Sequence, residues 1–100
     1  MNQPQASIAI QMLPRVEGEQ VIRIVDAVIA HIKDSGLVYF VGPFETTVEG
    51  EFNTLWELAK RCHLICIEEG APEVISYIKV FYNPTEGVWP IDKKVAKHEQ

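Results

Sequence analysis

Cysteine, basic charge and long apolar runs are all scarce in this chain. Its two cysteines form no second pair, whereas a structural zinc site needs about four ligands. Nine Lys and Arg stand against fourteen Asp and Glu, a formal net charge of −5. That balance disfavours non-specific binding to nucleic acid or to acidic membranes, which requires clustered positive charge. No stretch approaches the roughly 18 uninterrupted apolar residues of a membrane span. The opening residues Met1-Asn2-Gln3-Pro4-Gln5-Ala6 lack the basic and apolar regions of a secretory leader. The expectation is therefore a soluble, cytoplasmic domain. The six glycines are scattered turn residues, and none belongs to a phosphate-cradling loop.

What is present is apolar material. Of 100 residues, 47% are hydrophobic and only 23% charged, enough for a packed core and too little charge for a disordered chain. The length fits a single domain spanning 1–100, with a core over about 6–83 and a C-terminal extension over 84–100. A domain this small buries only about 60–65% of its unfolded surface. So generous a hydrophobic share implies a rich core or an apolar surface that meets another chain.

The chain resolves into six elements. Ala6 to Leu13 reads as a strand stopped by Pro14, with Ile8, Ile10 and Met12 on one face and Ser7, Ala9, Gln11 and Leu13 on the other. Val21, Ile24, Val25, Val28 and Ile32 recur at helical spacing up to Asp34-Ser35-Gly36, where Gly36 suits a left-handed cap. Leu37–Val41 and Phe44–Glu49 are β-rich runs around a Gly42-Pro43 break, the pattern of a hairpin. A second helix follows to Glu69, burying Leu55, Leu58, Ala59, Cys62, Ile65 and Cys66, and Glu73–Tyr82 forms the last strand. A short helix is expected around Asp92–His98. The order β-α-β-β-α-β specifies an α+β, ferredoxin-like domain: a four-stranded antiparallel sheet with both helices on one face.

The sheet face away from the helices should be polar in a monomer. Instead Ile75, Tyr77 and Phe81 oppose Val74, Ile78 and Val80, and Tyr39 and Val41 oppose Val38 and Phe40. Both faces read as buried, which predicts sheet-to-sheet packing in a homo-oligomer.

Several residues invite a chemical reading. Cys62-His63-x-x-Cys66 has metal-like spacing, yet both cysteines occupy apolar helix positions and core packing is the favoured reading. His31, His63 and His98 read as exposed helix histidines without an obvious nucleophile. Lys93, Lys94 and Lys97 read as a solvated helix face offset by nearby acids. The segment from Gly42 to Phe52 concentrates hydroxyls and carboxylates in a β-rich stretch. Thr46 and Thr47 must face opposite sides, so one points inward and needs a partner.

The run Val41-Gly42-Pro43-x-x-Thr46-Thr47-Val48-Glu49-Gly50-Glu51-Phe52, following Ser35–Tyr39, resembles the small thiamine-binding, YkoF-like family of ferredoxin-fold proteins. The likeness extends over the first strand, the helix Val21–Lys33 and the Lys94-Val95-x-Lys97 pattern. It implies a non-catalytic protein that binds thiamine or its hydroxymethylpyrimidine moiety, without a cofactor or metal. It also implies a dimer or tetramer assembled through sheet faces. An aminopyrimidine needs an apolar or aromatic slot, an acceptor for its amine and hydroxyls for its ring nitrogens. On that basis Thr46 and Thr47 supply hydroxyls and Glu49 accepts the amine or pairs with the thiazolium. Ser7 and Gln11 reach in from the first strand, and Tyr39 and Phe44 stack. The alternatives are a structural or regulatory homo-oligomer without a small ligand and, behind it, an enzyme.

Overall fold

The computed structural model describes residues 3–92. It contains β1 (Ala6–Pro14), α1 (Glu19–Asp34), β2 (Val38–Val41), β3 (Thr46–Gly50), α2 (Phe52–Glu68) and β4 (Val74–Tyr82). The strands form one antiparallel sheet in the order β2-β3-β1-β4, the ferredoxin-like arrangement that the element order specifies.

Strand β1 alternates as its sequence does. Ala6, Ile8, Ile10 and Met12 are buried toward the helices, and Leu13 on the other face is exposed. Against them pack Ile24, Val28 and Ile32 of α1, spaced four apart, and Leu55, Leu58, Ala59, Cys62 and Cys66 of α2. One cluster holds all of these, so both helices lie on the same face of the sheet. Arg23 of α1 donates to the Glu69 carboxylate at 2.7 Å and to its carbonyl at 2.9 Å, joining the exposed ends of the two helices.

Local chemistry sets the boundaries. After α1, Gly36 adopts φ +79°, a left-handed conformation that only glycine takes at little cost. The Ser35 hydroxyl donates to the Ile32 carbonyl and accepts from the Leu37 N–H, closing the helix end. The hairpin forms as expected, but β3 starts at Thr46 rather than Phe44. Gly42 N–H donates to the Glu45 carbonyl at 2.9 Å, and the resulting turn absorbs Pro43 and Phe44.

Beyond β4 the chain folds back on the N-terminal segment. Asn83 N–H donates to the Gln5 carbonyl and Val88 N–H to the Pro4 carbonyl, and Val88 and Ile91 are buried. Gly87 sits so close to this segment that a Cβ would lie 2.8 Å from Cβ of Gln3. Ile91 and Asp92 carry helical backbone; the rest of the expected helix to His98, with Lys93, Lys94 and Lys97, lies outside the described residues.

Candidate ligand-binding site

The β2–β3 turn and α1 enclose a cleft of about 240 Å³. Its walls are apolar, formed by Ile10 and Met12 of β1 and by Val21, Val25 and Val28 of α1. The α1 stripe that reads as core thus serves two ends: its inner residues fill the core, and its β2-side flank lines the cleft. Thr46 brings a hydroxyl to this wall. It opens β3 in register with Ile10, on the helix-facing side, and is only 7% exposed.

A second cleft of about 250 Å³ opens on the other side of the same turn, lined by Phe40, Pro43, Phe44, Glu45 and Thr47. Thr47 lies opposite Ala9 on the outer face, so the adjacent threonines serve different clefts. Phe44, 79% exposed, and Glu45 border both. Lys79 Nζ donates to Glu45 Oε2 at 3.1 Å, reaching from β4 across β1.

The remaining expected residues do not all converge there. Gln11 borders the first cleft. Ser7 lies four residues away along β1, a span of about 13 Å at the usual strand rise. Ser7 pairs in register with Glu49, and one oxygen of Glu49 accepts the Ile91 N–H at 2.6 Å. That end of the sheet is closed by the segment carrying Val88 and Ile91. Tyr39 faces the helix side opposite Val48 and packs against the core. The turn therefore gathers Thr46, Gln11 and Phe44 at one cleft and Thr47 with Phe44 at the other, while Ser7 and Glu49 form a separate cluster. Sequence reasoning omitted the α1 valines from the site; the apolar stripe was visible, its exposed flank was not.

The histidines differ from expectation, since neither His31 nor His63 is exposed. His63 Nδ1 lies 2.7 Å from the Ala59 carbonyl, which can only accept, so Nδ1 carries the proton. Nε2 then accepts from the Ser76 hydroxyl at 2.8 Å, fastening α2 to β4. Neither residue lines the clefts described above. His31 borders a shallower hollow between α1 and α2 with Thr54, Glu57 and Arg61, and its Nε2 is buried without a partner among the described residues.

Cys62 and Cys66 are fully buried free thiols. Burial, with a smaller contribution from neighbouring Cys66, pushes the Cys62 thiol up to about 12. Burial likewise raises Cys66. Both behave as small apolar core residues.

Fold and cleft together define a ferredoxin-like α+β domain with an apolar slot edged by hydroxyl and carboxylate groups. Residues 8–99 match the family model described as thiamine-binding protein, and the chain belongs to that family. A UPF0045 protein of Clostridium perfringens is 42% identical over 92 residues, covering 92% of this chain and 95% of that protein. A domain of unknown function, DUF77, from Bacillus cereus superposes with a TM-score of 0.88 at 38% identity, over 97% of this chain and 92% of that one. A crystal structure from Thermotoga maritima, of a protein ascribed to thiamine biosynthesis or salvage, gives a TM-score of 0.83 at 29% identity. That likeness covers 96% of this chain and the whole of the other.

Proposed function

We infer that this protein binds thiamine or its hydroxymethylpyrimidine moiety without covalent chemistry, as a cytoplasmic homo-oligomer. The observation that carries the reading is Thr46, a nearly buried hydroxyl in the apolar wall of the cleft between α1 and the β2–β3 turn. Family membership supports the ligand class. At about 240 Å³ the cleft lies below the roughly 300 Å³ at which drug-sized pockets begin, so it suits one heterocyclic ring. The pyrimidine fills the slot, with Thr46 hydrogen-bonded to a ring nitrogen. The cationic thiazolium stays at the mouth, where the Phe44 ring and the Glu45 carboxylate favour it.

Exposed Leu13, Val38, Phe40, Ile75 and Tyr77 on the outer sheet face support self-association through that face into a dimer or tetramer. Such packing would cover Thr47 and the second cleft.

Isothermal calorimetry with thiamine and with hydroxymethylpyrimidine tests the reading. Both should bind, and Thr46→Val should weaken binding about tenfold, the scale of one lost hydrogen bond. Absence of heat at millimolar ligand, with protein folded by circular dichroism, would overturn it.

A further inference from the structure

Glu45 is the single charged residue among the described walls of the first cleft, and it is again the single one in the second. Its carboxylate is already engaged, since Lys79 Nζ donates to Glu45 Oε2 at 3.1 Å. The sheet makes that reach possible. Ala9 is in register with both Lys79 and Thr47, so only a methyl group stands between them on the outer face. The Lys79 stem crosses β1 there, and its charged end comes to lie beside a residue that borders both clefts.

The two halves of the pair differ in freedom. Glu45 is pinned in the turn, where its carbonyl accepts the Gly42 N–H at 2.9 Å, and its side chain is 34% exposed. Lys79 is 72% exposed on a flexible stem, so the ammonium is the half that moves. An exposed pair of this kind is held weakly enough to be exchanged for another. A bare cation at the cleft mouth therefore meets a carboxylate that is already neutralised. To reach Glu45 it must displace Lys79, and the freed ammonium then lies next to a like charge. A ligand carrying its own anion beyond the cation removes this conflict, because the anion receives the displaced ammonium.

We propose that Lys79 sets the charge specificity of the site, favouring a cationic heterocycle with an anionic arm, a phosphate ester of thiamine, over the bare cation. The inference rests on the binding reading above. Thiamine carries a hydroxyethyl arm on its thiazolium, and a phosphate ester puts the anion on that arm, away from the pyrimidine. With the pyrimidine in the slot and the thiazolium against Phe44 and Glu45, the ester oxygens meet Lys79 Nζ in a charge-assisted hydrogen bond. Lys79 acts twice on the choice of ligand. It competes with an unphosphorylated cation for Glu45, and it pairs with the phosphate of the ester.

Calorimetry on the intact protein with thiamine and with thiamine monophosphate, in low-salt buffer, reads this selection. The parent should bind the monophosphate about tenfold more tightly, the lower end for one hydrogen bond to a charged group. Lys79→Gln, with a native circular dichroism spectrum, should weaken the monophosphate about tenfold and tighten thiamine about two- to fivefold. A merely structural role for Lys79 would move both ligands the same way. Glu45→Gln should weaken thiamine more than the monophosphate, which keeps its contact with Lys79. Added salt should shrink the preference. Absence of binding by either ligand would overturn the underlying reading and this proposal with it. Thiamine binding with equal affinity for the monophosphate, or both ligands shifting together in Lys79→Gln, would overturn this proposal alone.

Discussion

The two edges of the sheet are built differently. Strand β2 has four residues, ends at Gly42-Pro43 and turns back into β3, so little ladder is left to recruit a partner. Strand β4 has nine residues and no interruption. The short edge leaves space beside it, which α1 and the turn convert into a cleft. The long edge has β1 as its one strand neighbour among the described residues. One sheet thus has two unlike margins, a short one bordered by a cleft and a long one that continues the ladder to Tyr82. Strand length and turn chemistry set that difference.

Strand β1 lies between the margins, and Ile10 is in register with both Thr46 of β3 and Ile78 of β4. Ile10→Ala should cost about 2–5 kcal/mol in a urea melt through the cavity it leaves. Cleft and edge should weaken together; loss of ligand binding at unchanged stability would show that the margins are uncoupled. Glu49→Ala comes next, removing a charge-assisted hydrogen bond to the Ile91 N–H worth about 1.5–3 kcal/mol. Hydrogen exchange should show residues 88–91 loosened while amides of the Gly42–Glu45 turn keep their protection. Equal loosening of the turn would join Ser7 and Glu49 to the cleft after all.

The smallest effect concerns the thiols of α2. Native Cys62 and Cys66 should resist alkylation at pH 8 and react only on unfolding. Because the folded Cys62 thiol is raised from 9.0 to about 12, its protonated form is the one that folding favours. Its contribution to stability is complete below pH 9 and is lost as pH rises from there toward 12. Urea midpoints that stay flat across that window would contradict the burial described.

Much of this was written in local pattern. Alternation in β1, the fourfold spacing in α1 and the Gly-Pro break fixed the element order, and the order fixed the topology. The opposed faces of Thr46 and Thr47 follow from strand period alone. Other features depend on residues far apart in the chain. Glu49 meets Ile91 across 42 positions, and His63 meets Ser76 across a helix end and a loop. No periodicity encodes either meeting. Two apolar faces on β4 likewise predict contact with another surface, and the structure adds which exposed apolar groups lie on the outer face and which on the helix side.

The position of β1 also orders events during synthesis. The middle of the sheet is made first, and one of its two neighbours, β4, is made last. Until Tyr82 has left the ribosome, β1 can pair only with β3, and its other margin presents Ile8, Ile10 and Met12 on an open ladder. Nearby contacts such as the β2–β3 hairpin and the two helices can form early, but the β1–β4 ladder waits for loop closure over nearly the whole domain. A stalled or truncated chain would therefore expose a sticky, half-finished sheet. The protein's most vulnerable moment comes just before its last strand arrives.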